Sequence, residues 1–128
     1  MKPLKRHPEL IHFSQQHHHS LALCVRILRN PQHNHQAEID KHFIDLEEHF
    51  NSEEQQFAPL WQKIPNDFAH LRQRFEQEHA QLRHLYRTAE FDNPEWNTQF
   101  ATLLRDHARF EERELFEVIT KYALLSKE

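Results

Sequence analysis

His49-Phe50-Asn51-Ser52-Glu53-Glu54 and His107-Ala108-Arg109-Phe110-Glu111-Glu112 are two copies of one word: a histidine followed four and five residues later by glutamates. Phe57 follows the first copy and Leu115-Phe116 the second. Residues four apart lie one above the other on a helix. Each word therefore sets an imidazole beside a carboxylate, on the face that also carries the apolar stripe of its segment. A carboxylate buried there is costly unless a cation or hydrogen-bond donors receive it. Two such pairs in 128 residues point to one shared metal site.

Composition narrows the fold and the function classes. The chain has the length of one domain and can bury a core without staples. It contains no glycine. Sheets draw on glycine for hairpin turns and bulges, so its absence favours an all-α chain. The formal net charge of −4 gives no electrostatic footprint for nucleic acid. Lys2, Lys5 and Arg6 are too few for a membrane patch. The longest apolar run, Leu21 to Val25, is far too short to span a bilayer. No apolar stretch of signal-peptide type follows the start, and the single cysteine, Cys24, forms no internal disulfide or CxxC site. These features suit a cytoplasmic protein with no nucleic-acid or membrane partner. The thirteen histidines are the outlier, and histidine is the commonest metal ligand.

Prolines divide the chain. Residues 1–13 form an N-terminal arm with Pro3 and Pro8, and 14–125 the domain. Ser14 is a candidate N-cap for a first helix ending near Asn30, before Pro31. A second helix runs from Gln36 to Ala58, before Pro59, and a linker carries Trp61 and Pro65. A third runs from Asn66 to Phe91. Asn93-Pro94-Glu95 supplies an N-cap, a first-position proline and an acidic first turn for a fourth helix to Leu125. Apolar stripes at three-and-four spacing support these limits. They are Ile39, Phe43, Leu46, Phe50, Glu53, Phe57 in the second helix and Phe68, Leu71, Phe75, His79, Leu82, Tyr86 in the third. The fourth gives Trp96, Phe100, Leu103, His107, Glu111, Leu115, Val118, Tyr122. Glu53, His79, His107 and Glu111 stand where leucine is expected, and such local departures mark function. Four long helices with short connections fold most simply as an antiparallel up-down four-helix bundle.

The chain also repeats by halves: His49 matches His107, and His18-x-x-Leu21 matches His79-x-x-Leu82, at offsets of 58 and 61 residues. The repeat predicts that imidazoles from all four helices meet with the two carboxylates. In His17-His18-His19 one ring faces such a site well. The repeat favours His18, with His17, on the other flank of the same stripe, as the alternative ligand, while His19 faces water. Four imidazoles and two carboxylates suit two cations, with iron favoured and manganese or zinc as alternatives, and leave coordination positions open. Glu54, Glu78, Glu112 and His42 are candidates for a supporting role. His7, His12, His33, His35, His70 and His84 are expected on the surface, Cys24 in the core, and the phenylalanines as a dry lining.

At these residues the chain resembles the hemerythrin-like HHE cation-binding domains over about residues 14–120. The resemblance rests on Gln16-His17-His18-His19-Ser20-Leu21, His49-x-x-x-Glu53, Glu78-His79-Ala80-Gln81-Leu82 and His107-x-x-x-Glu111. It implies a four-helix bundle around a non-haem di-iron centre, with His18, His49, His79 and His107 as terminal ligands and Glu53 and Glu111 as bridges. Oxygen-carrying hemerythrins have a further histidine four residues away on the third helix; here Phe75 stands four before His79 and Arg83 four after it. The implied role is binding or sensing of oxygen, nitric oxide or peroxide, with a protein partner or a second copy as reader. The rival classes are a di-iron oxidase or peroxidase, with Glu54, Glu112 or His42 as general acid or base, and a metal-independent helical interaction module.

Overall fold

The computed structural model describes residues 6–125; Lys2, Lys5 and the first five residues of the expected arm lie outside them. The described chain is helical, without strands. α1 spans Ile11–Arg29, α2 Gln36–Phe57, α3 Ala69–Arg87 and α4 Pro94–Phe110. Two 3-10 turns, Trp61–Lys63 and Asn66–Phe68, occupy the linker before α3. α4 continues without a break through a π-helical turn at Glu111–Leu115, a last α-helical turn α5 (Phe116–Ile119) and a second π-helical turn at Thr120–Leu124. α4 packs on α1 and α3, and α1 packs on α2.

The helix starts reflect local chemistry. The side chain of Asn93 accepts a hydrogen bond from the Glu95 amide at 3.0 Å, with Pro94 in the first turn, as expected. The Asn34 side chain likewise accepts from Gln36 N–H at 2.8 Å ahead of α2. α1, however, begins four residues earlier than its sequence suggests, at Ile11 with Leu10 before it. Ser14 is not an N-cap; its hydroxyl donates to Glu112 of the π turn. Leu10 and Phe13 draw the start upstream because both are fully buried, so the described part of the expected arm is docked. Arg6 secures it with ion pairs to Glu112 and Glu117. α3 stops at Arg87 rather than Phe91. Pro94 requires the residue before it to be extended, and the chain turns ahead of that point.

The apolar core falls into two clusters. One gathers Leu10 and Phe13 before α1 and within it, Phe57 of α2, Leu71 and Phe75 of α3, and Phe110, Leu115, Phe116 and Ile119 of the last rod. The other gathers Leu23, Cys24 and Ile27 of α1, Ile39, Phe43, Leu46 and Phe50 of α2, Leu82 of α3, and Trp96, Phe100 and Leu104 of α4. Along every helix a histidine or glutamate lies between the two sets. Past Glu111 Leu115 is buried as expected, but Ile119 and Ala123 are buried in place of the expected Val118 and Tyr122, which are half-buried. In the π turn the Phe116 amide bonds to the Glu111 carbonyl, five residues back. That turn holds one residue more than an α-helical turn, so the stripe beyond it slips by one. Leu103 is also half-buried, and Leu104 takes the core position.

Asn97 ties the two ends of the loops together. It is fully buried, and its amide donates to the carbonyls of Pro31, His33 and Phe91. His35, expected on the surface, is buried and donates to the carbonyl of Asn30 at 2.8 Å, where it closes the turn between α1 and α2.

Candidate metal centre

Six side chains meet between the two apolar clusters: His17 from α1, His49 and Glu53 from α2, His79 from α3, His107 from α4 and Glu111 from the π turn. Glu53 and Glu111 are 0 % exposed, and the four imidazoles between 1 % and 4 %. They form two overlapping groups, His17, His49, Glu53, Glu111 and Glu53, His79, His107, Glu111. Within each group one ligand atom per residue lies within 4.8 Å of the others. The two carboxylates belong to both groups. Glu111 lies at 2.7 Å from His17 Nε2 and 3.3 Å from His107 Nε2, with His79 and His49 at 3.7 and 3.9 Å. Glu53 lies at 3.2 Å from His79 Nε2 and 3.3 Å from His49 Nε2.

Most of these close approaches are not hydrogen bonds. Among the described residues, eight buried side-chain atoms lack a hydrogen-bond partner, and six belong to this cluster: His49 Nε2, His79 Nε2, His107 Nε2, both Glu53 oxygens and Glu111 Oε2. Buried polar atoms are normally paired, and an unpaired buried charge costs several kcal/mol. A concentration of such atoms, all nitrogen and carboxylate oxygen and all aimed at one point, fits cation ligands.

The outer ring nitrogens are all engaged. His17 Nδ1 lies at 2.7 Å from Glu112, His79 Nδ1 at 2.7 Å from Glu54 and His107 Nδ1 at 2.8 Å from Glu78. His49 Nδ1 bonds to the side-chain oxygen of Gln16. An acceptor at Nδ1 keeps the proton there and leaves the Nε2 lone pair for the interior, the usual arrangement around metal-bound histidine. The acceptors are themselves held. Arg83 donates to Glu54 at 2.7 Å and to Glu47 at 2.8 Å, Arg74 to Glu78 at 3.0 Å, and Ser14 and Arg6 to Glu112. Adjacent residues of the π turn thus grip opposite edges of one ring: Glu111 takes His17 Nε2 and Glu112 its Nδ1.

The inner carboxylates favour the charged form of the imidazoles. Burial opposes charge on His17, but hydrogen bonds to Glu111 and Glu112 outweigh it and push the imidazole up to about 10. Burial opposes charge on His49, but the neighbouring charges of Glu53 and Glu111 outweigh it and raise it to about 9. His79 rises to about 11, because Glu111, Glu53 and Glu54 overcome its burial. His107 is raised as well. Burial would lift Glu111, but His107, His17 and His49 hold it well below the usual carboxylate range. Glu54 is pulled down to about 2, chiefly by its bond to His79 and further by Arg83. Rings line the cluster. Phe50 stacks on His79 with centroids 4.1 Å apart, Phe116 stacks on His17, and Phe13 meets His49 edge-on.

The structure brings together His49, Glu53, His79, His107 and Glu111 as the sequence suggests. In α1 it corrects the choice: His17 enters the cluster, and His18 is exposed. With α1 starting at Ile11, Phe13, His17, Ser20 and Cys24 share the buried face, and His18 lies about 100° away from His17. The repeat by halves matched the wrong ring. Glu54, Glu78 and Glu112 orient imidazoles, whereas His42 does not join them; its Nε2 bonds to Ser20 at 2.8 Å. Gln16, Ser14 and Arg83 were not legible as parts of the centre. No family model matches the chain, and neither a curated protein nor a solved structure matches it.

Proposed function

We propose that the protein is a hemerythrin-like domain: an antiparallel up-down bundle around a non-haem di-iron centre that binds a small ligand such as oxygen, nitric oxide or peroxide. The observation that carries this reading is the sharing of Glu53 and Glu111 between two four-residue groups. One cation would need one such group; two groups with common carboxylates suit a bridged pair. The direction of the helices agrees with the bundle. α1 and α3 run from the Phe13–Phe75 cluster towards the Ile27–Leu82 cluster, and α2 and α4 run the other way.

In this reading His17, His49, His79 and His107 are terminal ligands and Glu53 and Glu111 are bridges. A bound iron pair supplies a change of redox state and coordination positions that six protein ligands leave open. The rest of the work belongs to the chain. Glu112, Gln16, Glu54 and Glu78 fix the ring orientations, and Phe13, Phe50 and Phe116 keep bulk water from the ligands. Glu54 and Glu112 are each bound to an imidazole and to a cationic side chain, which suits orientation better than proton transfer and favours a binding or sensing role over an oxidase.

Anaerobic reconstitution with ferrous iron tests the reading. The expected result is two irons per chain and, after exposure to air, a visible absorption band that shifts on adding azide. A chain that holds a single zinc tightly and ignores oxygen overturns it.

A further inference from the structure

Three of the four imidazoles are locked from outside by carboxylates that are themselves bound to arginine. His49 is the exception. Its outer nitrogen meets the neutral amide of Gln16, an exposed residue with no second hydrogen bond among the described residues. A neutral acceptor bonds an imidazole N–H more weakly than a carboxylate does. His49 is therefore the ligand most easily displaced.

The same two residues line a cleft between α1 and α2. It encloses about 190 Å³ and is lined by Gln16, His19, His42, Asp45, Glu48 and His49. Imidazole and carboxylate are the donor types that replace water around a divalent cation. Asp45 and Glu48 are exposed, and His42 is half-buried, its Nε2 bonded to Ser20 of the same cleft. The cleft thus carries cation-binding chemistry from solvent down to the one ligand held by a neutral partner.

We propose that this cleft is the entry route for divalent cations. Asp45, Glu48 and His42 take an ion from water, and His49 passes it inward by swinging away from Gln16 and back. The inference rests on the metal-centre reading above, and it concerns the rate of loading rather than the final content.

Cobaltous ion mixed with metal-stripped protein in a stopped-flow spectrometer tests it, with uptake followed in the visible bands. Asp45→Asn combined with Glu48→Gln is expected to slow uptake about tenfold, within the range that charge-lined clefts add to association rates, and His42→Ala to slow it as well. Both variants are expected to reach the wild-type cobalt content. Gln16→Glu, which gives His49 a carboxylate partner like the other three, is expected to slow both uptake and release to a chelator. Asp106→Asn with Glu114→Gln removes the same charge from a groove beside Arg74 and Arg109 and is expected to leave the rate unchanged. Wild-type rates in both cleft variants overturn the proposal, as does equal slowing in the Asp106/Glu114 control. A wild-type chain that takes up no cobalt defeats the metal-centre reading itself, an outcome distinct from full loading at unaltered rates.

Discussion

Glu111 approaches the inner nitrogen of all four imidazoles, whereas Glu53 approaches two. On the proposed two-ion reading, Glu111→Ala is therefore expected to empty the centre. His107→Ala spares the group of His17, His49, Glu53 and Glu111 and is expected to retain a single ion; elemental analysis of the two variants checks the contrast. Arg83 acts one step out. Four residues after His79 this chain has a guanidinium that ties Glu54 to Glu47 and so steadies His79. Arg83→Ala is expected to weaken metal affinity about tenfold, the lower range for loss of an outer partner of a ligand, as read by competition with a chromophoric chelator. Five of the six inner residues were legible because each breaks an apolar stripe or sits in a repeated word. His17 was legible only as the alternative to His18, since its stripe begins at Phe13, which a helix capped at Ser14 leaves out. Gln16 left no trace, because an exposed glutamine on a helix resembles any other.

The helices were legible from prolines and periodicity, and their irregularities were not. The start of α2 at Gln36 and the cap at Asn93 follow from local chemistry, which a sequence displays. The π turn at Glu111–Leu115 depends on α1, whose His17 and Ser14 engage Glu111 and Glu112 together. No local signal for a wide turn exists in Glu111-Glu112-Arg113-Glu114-Leu115, so its consequence, the shift of the buried stripe from Val118 to Ile119, was hidden as well. The loops hold a second element-level device. Asn97 sits on the first turns of α4 and bonds three carbonyls from two different connections. Asn97→Ala removes the donor shared by these carbonyls and is expected to cost about 1–3 kcal/mol in urea unfolding, with metal content unchanged.

Across the whole molecule, stability and metal content are linked through protons. His17, His49 and His79 have their folded values raised from 6.5 to about 10, 9 and 11 in the metal-free chain. A raised value contributes stability that is complete below the unfolded value and is lost as pH climbs through the folded one. Chelated protein is thus expected to keep this contribution below about pH 6.5 and to shed it between about pH 9 and 11, seen as a falling melting temperature. A metal ion takes the imidazoles unprotonated, so loading is expected to release protons and to weaken on acidification. Calorimetric titration in buffers of different ionisation heats checks the release. A loaded protein whose melting tracks pH as the chelated one does would count against ligation by these rings.

The division of the apolar interior into two clusters, one around Phe13 and Phe116 and the other around Ile27 and Phe100, makes the ends of the molecule separately adjustable. Trimming a methylene at Ile119 and another at Ile39 touches no common neighbour, and distant, unshared changes sum. Each should cost about 0.5–1.5 kcal/mol as isoleucine to valine, and the pair their simple total. Evolution or an engineer could then harden one pole of the rod against heat while leaving the other pole, and the ring geometry at the waist, as they stand.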